Sequence, residues 1–368
     1  MHTILFNIIR SVICDDNLKA EDFSGMSASD WSVLYQIAKQ QGLTAVIFDK
    51  IQSSDKKVLP PKELVLRWVA NTLSIEKRAV DTYKRCAEFA RLMHEHGLNT
   101  LVLKGVAVSH YYPNPYHREY GDLDCYFYKD TENGIVWDGC YEEGNNVAEQ
   151  EGFFVDRGHY KHSHITYRGL EVENHQFSLP IKDGKRTKAL ERELRKLIES
   201  KQGLSTIGET FMYCPTADFN ALFLTAHAMS HFLYECIRVR NVLDWALFLK
   251  TEQDNVDWNN FWQWCERMHY TRFVQCLNYI CVHYLGLQIH AFPVNQNEEI
   301  ISLSARMLKD IFEGDSLYRK GYKGLRFRLA LASNYFKSMW KFHRIYQQSA
   351  VWLLVKRTMG MFVKNVKL

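Results

Sequence analysis

Apolar residues in this chain recur at helical spacing almost throughout, and the clearest departure from that spacing constrains the fold most. In Gly121 to Tyr128, GDLDCYFY, residues Leu123, Cys125 and Phe127 occupy alternate positions and Asp122 and Asp124 the intervening ones. A period of two belongs to a β-strand, whose successive side chains point to opposite faces. The strand therefore has one apolar face and one that opens with two carboxylates. Upstream, Thr100-Leu-Val-Leu reads as a shorter strand, followed by a Lys104-Gly105 turn and a helix expected over Val106 to Tyr112. Pro113 and Pro115 break that helix, and the chain loops through Tyr116, His117 and Arg118 to Gly121.

The flanks are helical. Ile4, Ile8 and Val12 fit a first helix, and the N-terminal segment lacks the basic region and small-residue cleavage site of a signal peptide. Ser27 or Ser29 caps a second helix carrying Trp31, Leu34, Tyr35 and Ala38, which stops near Gly42. Pro60 and Pro61 introduce a long helical pattern from Leu64 to His96, closed by Gly97. Residues 130–150 are polar and show no strand, with a helix end expected near Val147 to Gly152. Two strands then flank an Arg168-Gly169 turn, and Glu171, Glu173 and His175 share one face of the second. Lys182 to Lys201 reads as a solvated, charged helix. Further helices are expected over Ala217–Tyr234, Val239–Lys250, Trp258–His269 and Arg272–Leu285. The fold class is α+β: a small mixed sheet flanked by N-terminal helices and a C-terminal helical domain. The expected regions are 1–96, 97–212, 213–318 and a basic aromatic tail over 319–368.

Charge separates the tail from the rest. Twelve of the 46 Lys and Arg residues lie in 319–368 with no Asp or Glu, so the first 318 residues carry a net −8 against a whole-chain +4. Such a tail suits a polyanion or an anionic membrane surface. Arg326-Phe-Arg-Leu-Ala-Leu and Trp340-Lys-Phe-His-Arg-Ile-Tyr mix cations with apolar residues, which fits an amphipathic segment on lipid or packing against the chain's own acidic body. No clean apolar run is long enough to span a bilayer. Nine scattered cysteines without a CxxC pair point to a reducing cytoplasm, with a peripheral membrane location as the variant.

Alternate residues of a strand lie about 6.5 to 7 Å apart on the same side. Asp122 and Asp124 can therefore share divalent ions, and Glu173, from a neighbouring strand, is the candidate third carboxylate. Two such ions, about 3.5 to 4 Å apart, activate an attacking oxygen and neutralise a leaving pyrophosphate. Lys104 and the Gly105 turn at a helix N-terminus, with Arg118, offer the complementary phosphate contacts.

The order LKG, helix, aromatic-Pro segment, Arg, GDLD strand and later acidic strand ending in His resembles the DNA polymerase β-like nucleotidyltransferase superfamily. It is most similar to a bacterial branch of uncharacterised nucleotidyltransferases. The resemblance is most specific over 101–128 and extends more weakly to 175 and to His227-x-x-x-His231 with Arg240 and Asp244. It implies a Mg²⁺-dependent enzyme, with Mn²⁺ as the alternative ion, that transfers NMP from an NTP to an acceptor: a small molecule, sugar, protein or RNA end. Gly105 stands in its glycine turn, Asp122 and Asp124 in its metal pair, and Glu173 with His175 in its acidic-x-His strand. Lys104-Gly105-Val106 departs from the Gly-Ser or Gly-Gly of many members, so Lys104 replaces the serine contact.

Other readings compete with this one. A catalytically weak nucleotide-binding or regulatory module is one alternative, and a membrane-associated protein working through its tail is another. His159, His162, His164 and His175 could suggest zinc, but no four-ligand spacing matches. His227 and His231 read as polar residues at the seam between sheet and helices, bonding backbone or Asp244.

Overall fold

A computed structural model describes residues 1–54, 58–199, 204–314 and 337–349. The N-terminal helices are α1 (His2–Cys14), α2 (Ala28–Gln41) and α3 (Thr44–Gln52). α2 starts where Ser27 and Asp30 cap each other reciprocally and ends at Gly42, whose φ of 69° is a left-handed stop. α4 (Lys62–Glu95) is one continuous helix of 34 residues. Its Leu64 and Trp68 pack with α1, α2 and α3, whereas Cys86, Phe89 and Met93 pack under the sheet.

The sheet grows from the predicted strands. β1 (Asn99–Val102) runs antiparallel to β2 (Asp122–Thr131), and between them lies α5 (Val106–Ser109). The expected helix to Tyr112 is thus a single turn, and a series of turns carries the chain on to Pro113. Residues 130–150, read as strandless, contain β3 (Gly134–Val136) and the helix α6 (Cys140–Gln150). The inner face of α6 includes Gly144, where a Cβ would come within 2.1 Å of the Phe127 ring. Small and polar residues on that face hid its helical period.

β4 (Phe154–Asp156), β5 (His162–Tyr167) and β6 (Leu170–His175) follow, then α7 (Lys185–Glu199), β7 (Ser205–Thr206) and β8 (Met212–Cys214). The strand order is β4-β5-β6-β2-β1-β8-β7, with β3 on β2. β6 lies parallel to β2 and β8 parallel to β1, so the sheet is mixed. Leu123, Cys125, Phe127, Ile165 and Val172 bury the apolar face against α4 and α6. The opposite face, with Tyr126 and Tyr128, meets the helical body.

That body comprises α8 (Ala217–Tyr234), α9 (Val239–Glu252), α10 (Trp258–Met268), α11 (Thr271–His283) and α12 (Glu298–Glu313). α12 was not anticipated from the sequence. Part of the tail is described, and it packs on its own chain. A π-helical turn, Lys341–Ile345, buries Phe342 and Ile345, and Lys341 Nζ lies 2.7 Å from Asp310. The other tail segment, Arg326 to Leu331, lies outside the described residues. No helix among the described residues is long and apolar enough to cross a membrane, and all nine cysteines are free.

The charged helix α7 is not wholly solvated. Leu190, Glu191, Leu194 and Ile198 are buried, and Glu191 has no exposed surface. Its carboxylate accepts from Tyr126 Oη at 2.7 Å, from Ser178 Oγ at 2.9 Å, and from the Ser178 and Leu179 amides at 3.1 and 2.9 Å. Glu191→Ala would orphan all four donors. A destabilisation of about 3 to 5 kcal/mol is expected in urea unfolding, and a smaller one for Glu191→Gln, which keeps one acceptor oxygen.

Candidate functional site

Register assembles the acidic cluster. In the parallel β2–β6 pair Asp124 stands opposite Glu173 and Asp122 opposite Glu171. One oxygen each from Asp122, Asp124 and Glu173 lies within 4.8 Å of the others, whereas Glu171 is exposed and outside that group. Glu173, the candidate third acid, is the one that the geometry brings into the group.

Three carboxylates this close on a shielded face repel one another, and cations answer them. Lys104 Nζ lies 3.1 Å from Asp124 Oδ1, and His175 Nε2 lies 3.1 Å from the same oxygen and 3.3 Å from Glu173 Oε2. Burial alone would raise the pKa of Asp124, but His175 and Lys104 hold it below the usual carboxylate range. Glu173 follows the same pattern, with burial outweighed by His175 and His162. Asp122 is raised, by burial and then by Asp124 beside it. The lysine answers in kind: burial disfavours the Lys104 ammonium, but Asp124, Asp122 and Glu173 together keep its pKa above normal.

Gly105 sits at φ 63° and ψ −109°, a conformation that L side chains rarely adopt. α5 begins there, but at four residues it adds little helix dipole, so the turn's phosphate-binding capacity rests on its backbone N–H groups and Lys104. Arg118 braces this turn. Its Nη1 donates to the Gly105 carbonyl at 3.3 Å, while Nε and Nη2 grip the Asp244 carboxylate on α9 at 2.8 and 2.9 Å. Tyr112 Oη donates to the same carboxylate at 2.7 Å. Instead of presenting a free fork, Arg118 is 7 % exposed and committed to Asp244. Asp244 is therefore the partner of Arg118 and Tyr112 and not of His227 or His231; His231 pairs with Glu235. On the α4 side, His117 Nε2 lies 2.7 Å from Glu76, so the loop before β2 is pinned at both edges.

Two clefts meet at Asp122. One, of about 330 Å³, is lined by Lys104, Gly105, Asp122, His227, Arg238 and Arg240. The other, of about 520 Å³, runs along α4 past Arg78, Thr82 and Arg85. Arg240 lines both; its Nη1 donates to the Glu119 carbonyl at 2.7 Å, and its buried Nε has no hydrogen-bond partner. Sequence reading did not place Lys161 here, yet its amine is buried in the field of Asp124 and Lys104, and its pKa is lowered chiefly by that burial. Of the four histidines read for zinc, His162 and His175 converge with Glu173, and burial followed by His175 pushes the His162 pKa down to about 3. No signal near position 118 points to Asp244, because the pair is 126 residues apart in the chain.

The buried pair generates a stability prediction. Burial would raise Asp244, but Arg118 holds its pKa below the ordinary Asp value, so the pair's contribution is full above that value and fades as pH falls through the depressed one. Asp244→Asn strands the guanidinium and should cost about 3 to 5 kcal/mol near neutrality. The gap from wild type should narrow as pH falls from about 4, the unfolded value, through the depressed native one, because protonation then favours unfolded wild type; urea titrations at neutral and acid pH check this.

With the geometry assembled, comparison with known proteins adds one positive finding. The model of a family described as uncharacterised nucleotidyltransferase matches residues 27–286, from the cap of α2 past the end of α11. That span contains the whole sheet, both clefts and every site residue named above. No curated protein and no solved structure matches the chain. By that match over most of its length, the chain belongs to the uncharacterised nucleotidyltransferase family.

Proposed function

We propose that the chain transfers a nucleoside monophosphate from an NTP to an acceptor and releases pyrophosphate. The observation that carries this reading is the register pairing of Asp124 with Glu173, which gathers three carboxylates beside a cleft walled by Lys104, Arg238 and Arg240. Asp122, Asp124 and Glu173 would hold Mg²⁺, or Mn²⁺ in its place. An all-oxygen donor set, and a buried Asp124 Oδ2 with no hydrogen-bond partner, fit such an ion. When bound, the ion supplies charge neutralisation at the phosphates and acidifies the acceptor hydroxyl.

The chain's own groups do the rest. Glu173 takes the acceptor proton as the new O–P bond forms and the bond to pyrophosphate breaks. Lys104, Arg240 and the backbone of the Gly105 turn hold the triphosphate. Arg118 acts at one remove, by keeping that turn in place through Asp244. The two clefts divide the substrates: the NTP enters beside Lys104 and Gly105, and the acceptor, be it small molecule, sugar, protein or RNA end, enters along α4.

The Lys104 ammonium 3.1 Å from Asp124 favours a second reading, a nucleotide-binding module of low turnover whose acidic pair is neutralised internally. One experiment separates them. Each α-labelled NTP is incubated with protein, Mg²⁺ and cell extract, in parallel with a nucleotide titration. Wild type is expected to label a species, and Asp122→Ala with Asp124→Ala to lower that labelling about a hundredfold or more. Saturable nucleotide binding indifferent to both Mg²⁺ and the double substitution would leave only the module.

A further inference from the structure

The three-carboxylate cluster does not account for the side of Glu173 that faces β5. In the antiparallel β5–β6 pair His162 stands opposite His175 and His164 opposite Glu173. This puts two imidazoles on the same face as the acids. His162, Glu173 and His175 each offer a ligand atom within 4.8 Å of the others, a second group that shares Glu173 with the first.

The hydrogen bonding of His175 fixes what its ring presents. The ring is 2 % exposed, and Nδ1 lies 3.1 Å from the Phe177 carbonyl, which can only accept. Nδ1 therefore carries a proton. A backbone carbonyl on one ring nitrogen is the usual outer-shell support of a metal-ligating histidine, because it sets the tautomer and leaves the other nitrogen's lone pair outward. Here the other nitrogen, Nε2, faces Asp124 Oδ1 and Glu173 Oε2 at 3.1 and 3.3 Å.

Two further groups are left without hydrogen bonds. His162 Nδ1 lies 3.3 Å from Glu173 Oε2, at hydrogen-bond distance but without hydrogen-bond alignment, and is buried with no partner. Asp124, 1 % exposed, buries Oδ2 with no partner. His175 Nε2 is bonded to Asp124 Oδ1, where an ion would displace the shared proton, while His162 Nδ1 and Asp124 Oδ2 stay unsatisfied beside it, within reach of the same space.

The geometry points to a second divalent-ion position, formed by His162 and His175 with Glu173 bridging to the first, that selects a transition ion such as Mn²⁺, Co²⁺ or Zn²⁺ over Mg²⁺. The chemistry of the donors gives the selectivity. Mg²⁺ takes oxygen ligands and sheds water reluctantly, whereas imidazole suits the transition ions. This inference rests on the nucleotidyl-transfer reading of the acidic cluster and extends it: one position is all oxygen, the other mixed.

The test uses the full chain, stripped with chelator and then loaded with Mn²⁺ in excess Mg²⁺, and reads pulsed EPR for coupling to directly bound ¹⁴N. Wild type should show that coupling. His175→Gln and His162→Gln should each reduce it and weaken Mn²⁺ binding about tenfold or more, and the double substitution should abolish it, while His290→Gln on the surface changes neither. The wild-type spectrum needs no variant, so a misfolded His175→Gln does not blunt the test. Bound Mn²⁺ without nitrogen coupling, or coupling that survives both substitutions, would overturn the mixed site. If Mg²⁺-dependent NTP binding persisted alongside either result, the proposed function would stand. No divalent ion bound at all would sink both.

Discussion

The costliest thing this structure does is to crowd three carboxylates onto a shielded sheet face. Each would be solvated in the unfolded chain, and in the fold each is held near the others by strand register. Like charges at that spacing in a low-dielectric setting repel strongly. Much of the surrounding architecture offsets that repulsion. Lys104 comes in from the turn after β1, His175 from the end of β6, and Arg118 stiffens the turn that carries Lys104. The divergent pKa shifts have the same origin: Asp124 and Glu173, in contact with His175, are depressed, and Asp122, with no such partner, is raised.

Local periodicity made a good part of this legible. The alternation around Asp122 and Asp124 names both the strand and its polar face, and the Arg168-Gly169 turn, with both residues at positive φ, sets the β5–β6 hairpin. Parity put Glu173 on a strand face that Glu171 shares, and pairing across the sheet separates the two. What stayed hidden depends on pairing across long sequence separations. Nothing around Arg118 marks it as the partner of a residue on α9, and a lone arginine in an aromatic loop reads equally well as a phosphate ligand. Glu191 was hidden by its neighbours: in a helix rich in Lys, Arg and Glu, one buried carboxylate looks like the rest. α6 was legible only at its end, near Val147 to Gly152, because apart from Val147 its buried face uses cysteine, glycine, asparagine and alanine where bulky residues would have announced a helix.

Helices outside the sheet complete the site. The Gly105 turn is held from α9 through Asp244, and His227 reaches the cleft beside Lys104 from α8. The family match, which runs past α11, fits that dependence: a sheet cut away from these helices would lose the anchor of Arg118 and one wall of the cleft. The basic tail, striking by charge alone, is in its described part a piece of the helical body, with Lys341 turned inward on Asp310.

The long helix α4 has a mechanical consequence. At about 50 Å it is a strut clamped in two different hydrophobic clusters, at Trp68 near one end and Phe89 near the other. Its midsection, from Ile75 to Arg85, with Ile75 and Ala79 buried and Glu76 paired to His117, is one wall of the cleft that runs along the helix. A helix held at both ends and along its middle has little freedom to bend, so that wall keeps a fixed spacing, like a ruler. The opposite wall is the short Glu119–Gly121 connection, tied to Arg240 through the Glu119 carbonyl, that leads directly into Asp122. A displacement of that connection would be delivered to the first of the three carboxylates, which ties the width of this cleft to the assembly of the acidic cluster.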